Sequence, residues 1–287
     1  MAGQRISSAA VEPPRPARGL AAFLRSAGWA AALGILPWGA AFAAETDPGF
    51  HQAASEHFTV HYDCVQAPEG VLSDLEMLHA KLALDLILFA PWAQTEKVSI
   101  YIYESSQTFH ARTGAPEWSR GQADPARRSV QVCAGPGLRR ILAHELAHLF
   151  FDDFFLSAPA GYGSERLRQP PVWLSEGVAV NMEWDYGLGQ DQAAIRARAR
   201  DHALPLKDFL AFDYRQQRAD GEVSDWYVQA YSLVRYFMRS LPGSLFFEFC
   251  DALRRGVPME QALGRTYGGV LPDIPALERH WRESLRD

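Results

Sequence analysis

Cysteine is scarce in this chain: Cys64, Cys133 and Cys250 are the only three in 287 residues. Their spacings match no cysteine zinc motif, and three cysteines allow at most one internal disulfide. Cys64 and Cys133 each close an expected strand, so they would bridge if those strands were neighbours. Cys250 lies in an apolar helical run and reads as a small buried hydrophobe. Positive charge is also short, with a formal net charge of −6 and no basic stripe. Such a surface argues against a nucleic-acid partner. No repeat of solenoid period and no long low-complexity tract is present. The longest apolar run falls short of the about 20 residues that span a membrane. What remains is a chain with 48% hydrophobic and 12% aromatic residues, ample for a core in one or two domains.

Residues 1–44 differ from the rest. Arg5, Arg15, Arg18 and Arg25 form a basic lead opposed only by Glu12, and Ala27–Ala44 is nearly all apolar but broken by Gly34, Pro37 and Gly39. Ala41-Phe42-Ala43 supplies a small-residue cleavage pattern. We expect a signal peptide and an exported protein, periplasmic or secreted. The alternative is an uncleaved N-terminal anchor, the one case in which a membrane becomes a partner. Without this segment 24 basic residues face 33 acidic ones.

From residue 57 the hydrophobic pattern alternates between strand and helix periods. His57–Asp63, Val98–Tyr103 and Arg128–Cys133 read as strands, and Val71–Ala90 reads as a helix ended by Pro91. His57 and His61 share one face of their strand and read as solvated, and His79 reads as a surface residue. Glu104–Arg127 is polar and turn-rich. Beyond Asp191 the chain is helical, with Asp225–Ser240 as its strongest amphipathic segment. The expected architecture is α+β: a small mixed or antiparallel sheet and a mainly helical C-terminal half. Domain bounds are expected at 45–189 for the α/β part and 190–287 for the helical part.

Ile141–Phe151 holds His144-Glu145-Leu146-Ala147-His148 in an apolar run of helical length. Residues four apart lie one turn above each other on the same helix face. His144 and His148 therefore aim two imidazoles at one point, a donor pair suited to Zn²⁺. Glu145 is carried beside that point, where it can take a proton from water. A second run, Pro170–Val180, starts on helix-initiating prolines and carries one acid, Glu176, in an otherwise apolar stretch. A lone carboxylate there either has a buried cation to meet or marks a stretch that is not a buried helix. Asp152, four beyond His148, and Glu183, seven beyond Glu176, are possible acceptors for the outer imidazole nitrogens, though ordinary surface or capping roles are the simpler reading.

Trp173-Leu174-Ser175-Glu176-Gly177 following His-Glu-x-x-His resembles the gluzincin metallopeptidases, and more narrowly the secreted bacterial peptidase-MA-like domains. The resemblance extends from about Phe58 to the C-terminus and implies a zincin-like fold with the His-Glu-x-x-His segment as its active-site helix. It implies His144, His148 and Glu176 as zinc ligands and Glu145 as general base in peptide-bond hydrolysis. It also implies a substrate paired with an edge strand near the metal, for which Ser129–Cys133 is the candidate. In the helical half, Tyr227-Val228-Gln229-Ala230 matches a Tyr-x-x-Ala pattern of the group. Tyr227, with Tyr231 second, is the candidate oxyanion stabiliser, each set against the plainer reading of a core aromatic. Twenty-seven residues separate His148 from Glu176, more than is usual in gluzincins, and the excess falls in the loop-like Ser157–Gln169. Two other classes fit the same residues: a zinc-containing binder of peptide or cell-envelope components, and a zinc hydrolase of non-peptide amides or esters.

Overall fold

A computed structural model describes residues 49–157, 169–186, 191–212 and 220–286. The expected leader over 1–44, and the Ser157–Gln169 loop apart from its two ends, lie outside the described residues. Among the described residues no helix is long and apolar enough to cross a membrane.

The strands are β1 (His51–Ala54), β2 (Phe58–Tyr62), β3 (Val98–Tyr103), β4 (Gly121–Asp124) and β5 (Ser129–Cys133), in the spatial order β1-β2-β3-β5-β4. The inner pairs β2/β3 and β3/β5 are parallel, and the outer pairs β1/β2 and β4/β5 are antiparallel. The sheet is therefore mixed, as expected. Alternation sets its faces: Phe58, Val60, Val98, Ile100, Ile102, Val130 and Val132 are all buried. Their registers, Val60 beside Ile100 and Ile100 beside Val130, build one apolar surface. Against it pack α1 (Val71–Leu86) and α3 (Leu138–Leu156), while α2 (Ser106–Thr113) lies between β3 and β4 in sequence.

Three expectations are corrected here. β5 is hydrogen-bonded on both sides, by β3 and by β4, so Ser129–Cys133 is no edge strand; β4 is. Cys64 falls beyond the end of β2, which β3 separates from β5 and its Cys133, and all three thiols are free. The polar stretch before β5 is not simply turns, since it holds both α2 and β4.

The second half is helical: α4 (Val172–Tyr186), α5 (Gln192–His202), α6 (Leu206–Ala211), α7 (Asp220–Arg235), α8 (Gly243–Arg254), α9 (Met259–Tyr267) and α10 (Ile274–Ser284). Every residue from Trp173 to Trp184 in α4 and from Trp226 to Val234 in α7 is buried. A helix covered all round must satisfy its polar groups internally. Gln229 does so by bonding both the N–H and the C=O of Leu204, and Ser232 accepts from the Trp281 indole. Gly177 lets α4 and α7 touch, because a Cβ there would stand 2.4 Å from Val234 Cγ2 and 2.7 Å from the Ala230 carbonyl oxygen. α7 runs into a π-helical turn, Tyr236–Ser240. That turn carries Arg239 onto Asp85 of α1 in a two-bond fork, both at 2.7 Å. Tyr186 also donates to Asp85, and Arg235 pairs with Asp185 at 2.8 Å. Charged groups thus join α1, the end of α4 and the π turn.

The entry to β2 is fastened by a second polar group. Glu76 of α1 accepts from the His57 backbone N–H at 2.9 Å and from its Nδ1 at 2.7 Å. The His57 ring stacks on His79 with centroids 3.7 Å apart, and His79 donates from Nε2 to the Ala93 carbonyl at 2.9 Å. His79 is buried and His57 is engaged, contrary to the surface roles expected for them. Together with Glu76 they are close enough to share a cation. Two of the ring nitrogens already face Glu76 and Ala93, however, and stacked rings turn faces rather than lone pairs to each other, so we read the group as a clamp. Burial pushes the Glu76 carboxyl up, but the bonds from His57 and Ser55 outweigh it and hold the group at about 2. A carboxyl depressed in the folded state adds stability that is complete above its unfolded value and is lost as pH falls toward the folded one. Glu76→Gln is therefore expected to be less stable than wild type at neutral pH in urea melts. The gap should close as pH drops from about 4.5 to about 2.

Candidate metal centre

α3 is buried over nearly its whole length from Leu142 to Phe155, and four of its polar residues fall at intervals of four: Arg140, His144, His148 and Asp152. That interval makes them one stripe on the face turned to α4. From α4 come Ser175, Glu176 and Glu183, all buried. His144 Nε2 and His148 Nε2 stand 3.1 Å apart, and Glu176 Oε2 lies 3.7 Å from the first and 3.8 Å from the second. Ligands about 2.0–2.1 Å from a tetrahedral Zn²⁺ are about 3.3 Å from one another. Two imidazole nitrogens and a carboxylate oxygen in a triangle of this size fit that ion. The structure thus brings together the three residues singled out as ligands.

Each imidazole is held from behind. His144 Nδ1 is 3.1 Å from Glu183 Oε2, and the other Glu183 oxygen is 2.5 Å from Arg140 Nε. His148 Nδ1 is 2.9 Å from Ser175 Oγ and 3.3 Å from Asp152 Oδ2, and Ser175 donates to Asp152 at 2.7 Å. Acceptors on Nδ1 leave the Nε2 lone pairs for a metal. Of the two readings of Asp152 and Glu183, acceptors behind the imidazoles or surface and capping acids, the first holds, since both are buried and stand at the outer imidazole nitrogens. Ser175 and Arg140 carried no expected role. Their position was the available signal: Ser175 adjoins Glu176, and Arg140 stands one turn before His144.

Burial drives the electrostatics. It lowers His144 well below the ordinary histidine value, helped by the nearby positive charge of His148 and Arg140. It would lower His148 too, but the hydrogen bond and charge of Asp152, with Glu176 and Glu145 near, outweigh it and hold His148 at about 9. Burial raises Glu145 to about 7 against the pull of His148 and of a hydrogen bond from the Ala123 backbone N–H. A carboxylate poised there is suited to exchanging protons at neutral pH.

β4 shapes the space around Glu145. In the antiparallel ladder Cys133 donates to Arg120, so Gly121 and Ala123 turn their backbone groups away from β5. A Cβ on Gly121 would come within 2.7 Å of Glu145 Cγ and Oε1 and of Ile141 Cγ2, so the backbone passes the glutamate at side-chain contact. The oxyanion candidates lie on α7. Tyr231 donates to Gln192 at 2.7 Å and its ring lies 4.5 Å from that of Trp184, which commits it to the helical core. Tyr227 is buried with its ring edge-on to Trp226.

Two histidines a turn apart, a carboxylate from the next helix and a glutamate beside them make up a metallopeptidase-type centre on an α+β fold. The model of the Peptidase MA superfamily matches residues 86–287, and the chain belongs to that superfamily, a group of peptidase-type enzymes. No curated protein matches the chain.

Because overpacking a filled site costs about 1–3 kcal/mol, Gly121→Ala is expected to lower the urea midpoint of unfolding by a corresponding amount. An unchanged midpoint would show that the strand can move away from Glu145.

Proposed function

We propose that the protein is an exported, zinc-dependent metallopeptidase that hydrolyses peptide bonds. The observation that carries this reading is the buried triangle of His144 Nε2, His148 Nε2 and Glu176 Oε2 with Glu145 beside it. The residues present suit Zn²⁺ with three protein ligands, the number found in catalytic rather than structural sites. When bound, zinc supplies a Lewis acid and a water acidified toward neutrality.

The chain's own groups do the rest. Glu183 and Asp152, the latter together with Ser175, orient the two imidazoles. Glu145, buried and held on the β4 side by the Ala123 N–H, accepts the proton of the attacking water and returns it to the leaving amine. The outer side of β4, against which no other strand lies among the described residues, is the edge along which an extended peptide can pair, setting the scissile bond near Glu145. Tyr227 is the assigned donor to the developing oxyanion. Export is supported by the arginine-led apolar leader and its Ala41-Phe42-Ala43 pattern. In this reading the enzyme meets a peptide or protein substrate.

Metal analysis by mass spectrometry is expected to find about one zinc per wild-type chain and much less in Glu176→Ala. On a panel of peptides, Glu145→Gln should keep its zinc and lose turnover by at least about 100-fold, the lower end of what a positioned general base contributes. Tyr227→Phe should keep its zinc and KM while kcat falls. Turnover of small amides or esters but not peptides would move the substrate class. A folded wild type that takes up no zinc would overturn the reading.

A further inference from the structure

Arg140 heads the α3 stripe, one helical turn before His144, and is not one of the metal-ligand residues. Its side chain is 13% exposed, and its Nε meets Glu183 Oε1 at 2.5 Å while Glu183 Oε2 meets His144 Nδ1 at 3.1 Å. Arg140 and His144 are four residues apart on one helix, and Glu183 reaches both from the other helix. We propose that Arg140 is a positioning residue that sets the metal affinity of the centre through Glu183 and His144. The inference rests on the metallopeptidase reading and goes beyond it by assigning a role to a residue outside the ligand set and the general base.

The physical reason lies in what Glu183 must do. A buried carboxylate serves His144 only if it stays where the Nδ1 proton can reach it. Burying it without a cation is costly. The Arg140 guanidinium supplies that cation as a planar group on a short tether, one turn from the histidine that Glu183 orients. It leaves one carboxylate oxygen for His144 and takes the other. With Glu183 fixed, His144 keeps its proton on Nδ1 and points Nε2 at His148 and Glu176. Arginine suits this role better than lysine, whose compact ammonium on a flexible stem does not fix a carboxylate plane. His148 is arranged differently, because Ser175 and Asp152 both stand at its Nδ1. The Arg140 arm thus acts on the His144 side of the centre.

The test is zinc affinity, measured on the whole chain by competition with a chromophoric chelator, for wild type, Arg140→Met, Arg140→Lys, Glu183→Gln and the double variant Arg140→Met/Glu183→Gln. Melting curves of the metal-free forms accompany it. Loss of an outer partner of a metal-bound histidine weakens binding by about 10–100-fold. We expect Arg140→Met to bind zinc at least about 10-fold more weakly than wild type and the double variant to bind no more weakly than Glu183→Gln, since the two residues form one chain of contacts. Arg140→Lys keeps the charge and guards against a misfolded variant; it is expected to bind more weakly than wild type. Cobalt substitution should show an altered visible spectrum in Arg140→Met, which a purely structural role would leave unchanged. Wild-type affinity in both Arg140 variants, or losses that simply multiply in the double variant, would overturn this inference alone. A wild-type chain that binds no zinc would overturn it together with the metallopeptidase reading.

Discussion

The contact on which the rest of the molecule depends is the polar seam between α3 and α4. Two helices that are otherwise buried all round meet along a line that contains two histidines, four acids or hydroxyls and an arginine. No such line survives in an apolar interior unless its members answer one another. Here each does. Asp152 and Ser175 answer His148, Glu183 answers His144, Arg140 answers Glu183, and Glu176 closes the triangle with both imidazoles. The sheet, α1 and α7 serve this seam by sealing it. β5 and β4 lie beneath α3, and α7 covers α4 closely enough that position 177 admits only glycine without a shift.

Much of this was legible in the amino-acid order, and the reason is geometric. Metal-binding side chains on one helix must recur at four, so His144 and His148 disclose their common direction by spacing alone. Glu176 is conspicuous because an acid in a run such as Val172–Val180 has no surface to occupy. The three central strands are rich in β-branched and aromatic residues and read directly. Outer strands are another matter. His-Gln-Ala-Ala and Gly-Gln-Ala-Asp carry almost no strand preference and owe their conformation to the neighbour they pair with. Missing β4 was what made β5 look like an edge.

The supporting acids were only half legible, for a different reason. Asp152 and Glu183 stand at spacings that fit a role behind the imidazoles, but the same spacings occur on any exposed helix. Whether such an acid faces water or a partner depends on the helix laid over it, which is a tertiary fact. The same holds for His79, whose burial follows from His57 stacking on it and from the Ala93 carbonyl. Arg140 is the limiting case. Arginines are common in this chain, and only the position of Glu183 distinguishes this one from the others near the helix start.

The π turn after α7 sets where the last side chains of that helix point. A π turn holds one more residue than the α-helical turn it replaces, and each residue in a helix advances the chain by about 100°. Tyr236–Ser240 is therefore a stored insertion. It lets α7 present Gln229 and Ser232 to one set of neighbours while Arg239, further along, is swung onto Asp85. Removing a single residue from the turn would move Arg239 by about 100° around the helix and away from Asp85. The number of residues here, and not only their identity, therefore decides whether the helical half is tied to α1.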